Sequence, residues 1–305
     1  MRPDKPLDNS VVVIDTDVGF DDVMAIAMLL AANAPIAGLT TVNGLAHARP
    51  GAENVLRLLQ RVGCRDIPVA VGAAAPLSGD RAFVSSWRDK ADALAEITLP
   101  PTDLEPVSSS AAEFLVHTVN ERPSQVALLC LGPLTNVALA LQLAGERFVQ
   151  QVGKIVMMGG AVRVPGNDTP NDVSEWNLYV DPLAAAQTVH SGIPITMIGL
   201  DVTNAAPCTP QLVQAMCERR PQSPAARVMQ ETMQGMYDYL YDQVAAAYLL
   251  DPAIVQTARL PIQVVDTGPH VGQTVETSSG TPIDVALTLD QRRFHQLLLR
   301  LVGEA

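Results

Sequence analysis

The stretch VVVIDTDVGFDD, Val11 to Asp22, decides the fold. Val11 to Asp15 is a short run of β-branched residues, which suits a strand buried on both faces. Asp21 to Ala32 then runs apolar almost without a break behind two opening carboxylates, and predicts a helix. Acidic residues are favoured there by the positive end of the helix dipole. A buried strand followed at once by a helix is the start of a mainly parallel sheet with helices on both sides.

Working outward, the same alternation recurs. Ile36 to Asn43, Ile67 to Val71, Gln125 to Leu131, Lys154 to Met158 and Ile193 to Leu200 read as strands. Pro50 to Val62 reads as a helix, and another starts near Pro133. The end changes character: Ile262 to Asp266, Gly272 to Glu276 and Pro282 to Leu287 suggest a local antiparallel meander, followed by a helix from Asp290 to Leu301. Ala73 to Pro101 and Gly160 to Ser174 read as loops, and loops at one edge of a parallel sheet usually carry the site. No linker is long enough to force a break, so residues 1–305 are expected to form a single α/β domain with an antiparallel C-terminal addition.

Composition narrows the function. The chain has 305 residues, 48% hydrophobic, and a formal net charge of −12. Without a cluster of Lys and Arg, such an acidic chain is a poor nucleic-acid binder. No apolar stretch approaches the roughly 20 residues that cross a bilayer, so no membrane partner is expected. The start, MRPDKPLDNS, lacks the apolar core of a secretory signal. Cys64, Cys130, Cys208 and Cys217 are scattered, with no disulfide framework, which points to a cytoplasmic protein.

The acidic run makes a chemical demand. Asp15 and Asp17 are two residues apart at a strand end and leave the same face. Gly19 is expected to permit the turn, and Asp21 and Asp22 open the helix. Four carboxylates within eight residues must protonate, spread into solvent or bind a cation. A hard divalent ion with oxygen ligands answers that demand, and Ca²⁺ accepts irregular sets of roughly six to eight oxygens. The plainer reading is that Asp21 and Asp22 are ordinary first-turn residues. Other acidic motifs fit worse. An EF-hand loop from Asp15 would need Gly at Phe20 and Glu at Ile26, and the glycine pattern of a dinucleotide fold is absent.

The run VVVIDTDVGFDDVMAIAMLL resembles the N-terminal signature of the inosine–uridine-preferring nucleoside hydrolases, D-T-D-P-G-x-D-D, with Val18 in place of the Pro. Further pieces follow in that family's order: LGPLTNVALAL from Leu131, MMGGA from Met157, GNDTP from Gly166, SEWNLYVDPLAAA from Ser174, GLDVT from Gly199 and YDQVAAAYLLDP from Tyr241. Together they span residues 11 to about 255.

The resemblance implies a Ca²⁺-dependent hydrolase of ribonucleosides that releases free base and ribose. It implies that Asp17 touches the metal and is general base on its bound water. Asp22, the backbone carbonyl of Leu131 and Asp242 complete the metal set, and Asp15 supports them from behind. Asp21, Asn167, Glu175 and Asn177 would hold the sugar, with Met158 and Trp176 packed around it. Family members are often homodimers or homotetramers, and that is the expectation here.

Three departures bear on the base. Tyr241 stands where many relatives have His, and is expected to be catalytic there, donating a proton or hydrogen bond to the departing base. A phenol is a weaker acid than imidazole. Tyr237, Tyr239 and Tyr241 are an alternative stacking wall. The loop histidine of relatives has no counterpart in Ser78 to Trp87. In TTVNGLAH, Leu45 replaces the usual Asn, so Asn43, or else His47, is expected to compensate. Two alternatives follow: hydrolysis of a nicotinamide or modified-base riboside, and a non-catalytic protein that binds calcium and ribose.

Overall fold

The computed structural model describes residues 10–94, 97–236 and 238–304. At its centre is β1 (Val11–Thr16), flanked on one side by β2 (Ile36–Thr41) and β3 (Val69–Val71) and on the other by β4 (Val126–Cys130), β5 (Lys154–Met158) and β6 (Ile195–Ile198). These six strands are parallel. The sheet continues through β7 (Val255–Val264), β8 (Thr274–Glu276) and β9 (Thr281–Leu289), in the order β3-β2-β1-β4-β5-β6-β9-β7-β8. β9 joins β6 in parallel, and β7 pairs antiparallel with both β9 and β8.

The expected C-terminal addition is therefore present but is not a meander: β7 lies between β9 and β8, and its partners do not follow in chain order. β7 also starts at Val255, before the expected Ile262. Its first half pairs with β9 along an exposed edge, so it shows no apolar run.

Alternate residues of the central strands feed opposite cores. Val12, Ile14, Leu129, Val156 and Met158 pack on one face, and Val13, Leu128, Cys130, Ile155 and Met157 on the other. That period of two, apolar on both sides, is what a sheet sandwiched by helices requires. The first face is covered by α1 (Phe20–Ala31), α2 (Ala48–Val62) and α3 (Ser85–Ala93) from the N-terminal part. The second is covered by α4 (Ala111–Glu121), α5 (Thr135–Ala144), α6 (Glu146–Gln151), α7 (Trp176–Val180) and α8 (Pro182–His190). The chain then returns to the first face with α9 (Leu200–Thr203), α10 (Pro210–Cys217), α11 (Pro224–Gly235), α12 (Tyr241–Leu250) and α13 (Gln291–Val302). Among the described residues no helix is long and apolar enough to cross a membrane.

Candidate active site

In the order β3-β2-β1-β4-β5-β6 the connections reverse direction between β1 and β4. A crevice at the carboxyl ends of strands at such a point is where open α/β sheets take ligands. A pocket of about 470 Å³ opens there. Asp17 follows the last residue of β1, Leu131 follows β4, and Met158 ends β5; all three line it.

The acidic run divides between floor and support. Asp15 is buried beneath the pocket, with its Oδ1 accepting from Thr40 Oγ1 at 2.5 Å and Asn136 Nδ2 at 2.7 Å. Asn136 also donates to the Thr41 carbonyl and accepts from Ala73 N–H, so one amide ties the ends of three strands together. Burial pushes Asp15 up to about 7. Asp17 is buried, and its Oδ2 accepts from Leu45 N–H at 2.7 Å. Burial first, and then the charge of Asp22, hold its carboxyl well above the usual range. Asp22 accepts from Thr16 Oγ1 and from Gly19 N–H (2.8 Å), and burial followed by Asp21 pushes it to about 7. Carboxylate oxygens of Asp21, Asp22 and Asp242 lie within 4.8 Å of one another. Asp242, in the first turn of α12, is driven well up by burial and then by Asp22. Gln243 beside it donates to the Asp21 carbonyl at 3.1 Å, which joins α12 to the start of α1.

The turn itself differs from expectation. The left-handed residue is Val18, at φ 56°, while Gly19 is extended. Proline is locked near −65° and cannot take that conformation, so this turn is not one that the family's Pro would form. Gly19 is needed for space instead: a Cβ there would come within 2.6 Å of Asp21 Oδ1 and 2.8 Å of Leu45 Cδ2.

Facing the acids is the Gly160 to Ser174 loop with α7. Glu175 caps α7, its Oε1 accepting from Asn177 N–H (2.9 Å) and its Oε2 from Gly160 N–H (3.2 Å). Burial pushes it to about 7. The amide of Asn177 donates to the carbonyls of Leu131 (2.8 Å) and Met158 (3.2 Å), and so fixes both carbonyls at the pocket. Asn167 also lines the pocket, and its buried Oδ1 has no partner among the described residues. Asp201 of the GLDVT piece holds this loop by accepting from Val162 and Arg163 N–H at 2.8 and 2.7 Å.

Asn43 and His47 are placed elsewhere. Neither is among the residues lining the pocket. Asn43 Oδ1 accepts from Arg88 Nη2 at 2.6 Å, and His47 meets Asp92 through its backbone N–H (2.8 Å) and its Nδ1 (2.6 Å). Arg88 and Asp92 belong to α3, a helix inside the Ala73 to Pro101 stretch that reads as a loop in the sequence. Asn43 and His47 therefore brace α3 from behind. The opposite face of α3 is a pocket wall carrying Trp87, Lys90 and Ala91. Their helical spacing continues to Leu94, but Ser85, Ser86 and the charges between them masked the pattern. Phe83 joins that wall, stacked on Trp176 at 4.9 Å and 19°, with Trp87 edge-on to Trp176 at 5.6 Å.

The far wall has Met236, Tyr239 and Tyr241, with Tyr239 and Tyr241 in tilted contact at 5.9 Å. Tyr237 lies outside the described residues. Burial, then Asp238, pushes the Tyr241 phenol further up, which favours its protonated form.

Residues 12–296 match the family described as inosine-uridine preferring nucleoside hydrolase. The chain belongs to that family. It is 34% identical over 308 residues to uridine nucleosidase 1 of Arabidopsis thaliana, covering 91% of this chain and 88% of that one. It is 41% identical over 196 residues to a probable uridine nucleosidase 2 of Oryza sativa subsp. japonica, where the match spans 63% of this chain but only 57% of the relative. The solved plant nucleoside hydrolase PpNRh1 superposes with a TM-score of 0.85 at 29% identity, over 96% of this chain and 99% of that one. The family match takes in every residue of the pocket, from Asp17 to Asp242.

Proposed function

We propose that this nucleoside hydrolase family member cleaves the N-glycosidic bond of pyrimidine ribonucleosides, uridine first among them, to free base and ribose, with Ca²⁺ as its resident ion. The observation that carries the reading is the pocket floor. Asp21, Asp22 and Asp242 gather their carboxylates there, Asp17 and Leu131 line the same pocket, and Asn167, Glu175 and Asn177 share it. The names of the relatives favour uridine.

The donor set fits a hard cation. It is all oxygen, it includes a carbonyl held in place by Asn177, and it gathers carboxylates that drive one another toward protonation in the absence of positive charge. The carboxylates of Asp21, Asp22 and Asp242 lie close enough together to hold the ion, and Asp17 and the Leu131 carbonyl, in the same pocket, would complete its shell. Such an ion, when bound, acidifies water and anchors ribose hydroxyls.

The protein's own groups do the rest. Asp17, with one oxygen fixed by Leu45, takes the proton of the water that attacks the anomeric carbon. The C–N bond breaks, and its electron pair leaves with the base. Asn167 Oδ1 is a buried acceptor that a ribose hydroxyl would satisfy. Asn177 has its amide hydrogens committed and its oxygen left to accept. The carboxylate of Glu175 stands near the sugar, where positive charge develops in an oxocarbenium-like transition state. Free thiols at Cys64, Cys130, Cys208 and Cys217 support a cytoplasmic setting.

The test is a panel of ribonucleosides with a reducing-sugar readout, run with calcium and with chelator. Release of ribose from uridine that stops with chelator is expected. No release from any ribonucleoside would overturn the reading, and tight binding without release would make this a non-catalytic ribose-binding protein.

A further inference from the structure

The pocket has a chemical polarity. Its floor is carboxylate, and its outer walls are aromatic: Phe83, Trp87 and Trp176 on one side, Tyr239 and Tyr241 on the other. A ribonucleoside shows the same polarity, since its sugar carries hydroxyls and its base a flat π-face. The sugar belongs on the acids and the base between the aromatic walls.

Among the described residues that line this pocket, seven are acidic and Lys90 is the one cation. Lys90 has no ion-pair or hydrogen-bond partner among the described residues, although Asp89 and Asp92 are its near neighbours on the same helix. Its direction is set by the helix that carries it. Arg88 on Asn43, Asp92 on His47, and Asn54 Nδ2 on the Asp92 carbonyl (2.9 Å) fix the back of α3. Residues 87, 90, 91 and 94 then fall together on the pocket side. Lys90 stands one turn from Trp87, whose ring touches Trp176. It is therefore at the base end.

Breaking the C–N bond of a pyrimidine nucleoside sends the bonding pair onto the ring nitrogen, and the charge spreads to the neighbouring carbonyl oxygen. A cation meeting that oxygen stabilises the departing anion, which is later protonated from water. Phenols donate to the base without supplying charge. We propose that Lys90 is a catalytic residue for the leaving group, donating a charge-assisted hydrogen bond to a carbonyl oxygen of the pyrimidine as it departs. This rests on the nucleoside hydrolase reading above.

The experiment compares wild type, Lys90→Met and Lys90→Arg, all loaded with calcium, on two ribosides. Uridine needs help for its base to leave. p-Nitrophenyl riboside does not, because p-nitrophenolate is already a good leaving group. For Lys90→Met, kcat/KM on uridine is expected to fall about 100-fold, the scale of losing one charge-stabilising donor. On p-nitrophenyl riboside it should stay within about threefold, and Lys90→Arg should recover most of the uridine activity. A parallel fall on both substrates, or no fall on either, overturns the assignment. So does a wild type that prefers uridine 5′-monophosphate and loses that preference in Lys90→Met, since Lys90 would then hold a phosphate. Wild type that releases ribose from no ribonucleoside overturns the hydrolase reading itself, and the assignment with it.

Discussion

Leu45 donates its backbone N–H to Oδ2 of Asp17 at 2.7 Å. The residue that departs most visibly from the family pattern therefore serves the proposed base through its main chain, where side-chain identity does not matter. The contact needs the backbone to pass very close to the carboxylate. Gly44 provides this, since a Cβ at that position would collide with the Asp17 side chain.

Gly44→Ala is therefore expected to displace Asp17 while leaving the sheet intact. A shift of about 1 Å at a reacting group costs on the order of 100-fold. The loss should appear in kcat, with the melting temperature close to wild type. A variant with full kcat would show that Asp17 does not need its present position.

Removing charge from the floor should separate two roles. Asp17→Asn keeps the shape but cannot take a proton, and should lose at least about 100-fold in kcat even at calcium concentrations that saturate its weakened site. Asp242→Asn should instead weaken calcium, so that part of its activity returns at higher ion concentration. Isothermal titration alongside steady-state rates distinguishes them. If Asp17→Asn were also rescued by calcium, Asp17 would be a ligand only.

The pocket's ownership was legible in the sequence wherever one short segment carried both position and chemistry. Asp17, Asp22, Asn167, Glu175, Trp176 and Asp242 are all in named motifs, and all line the pocket. The α3 wall was not legible. Its surface is mostly exposed, so it lacks the apolar face that marks a buried helix, and only bracing by Asn43 and His47 gives it a direction. Either Asn43 or His47 is expected inside the site because both neighbour Leu45 in sequence. The backbone of 43–47 turns so that Leu45 faces the pocket while Asn43 and His47 reach α3. A similar limit hid the start of β7, whose early residues pair along an edge and bury little.

Stability should depend on pH in a direction set by burial. Asp15 and Asp22 rise from 3.8 to about 7 in the folded chain, and Glu175 from 4.5 to about 7. A raised folded value means the native state holds protons that the unfolded chain has already released. The associated stability is complete below about pH 4 and is lost as pH climbs to about 7. For Asp15 alone the rise corresponds to on the order of 4 kcal/mol. Calcium supplies the missing positive charge, so the gain in melting temperature from calcium over chelator should grow between pH 4 and 7. A gain that stays constant over that range would contradict the electrostatic account of the floor.

Asp92 offers the most direct check on the α3 wall, because it touches no substrate. It accepts two hydrogen bonds from His47, and its backbone carbonyl accepts one from Asn54. Asp92→Ala removes only the two made by its side chain. Each is worth about 1 kcal/mol, so α3 should loosen without unfolding the domain. Trp87 and Lys90 would then spend less time facing the base, while the acids, Asn167 and Asn177 keep the sugar in place. The expected result is a rise in KM for uridine of about tenfold, the factor that 1.4 kcal/mol represents. Binding of free ribose should be unchanged. His47→Ala should give a smaller effect in the same direction, because its backbone N–H still reaches Asp92. If Asp92→Ala weakened ribose and uridine equally, α3 would be part of the sugar site, and the division of the pocket into a sugar end and a base end would fail.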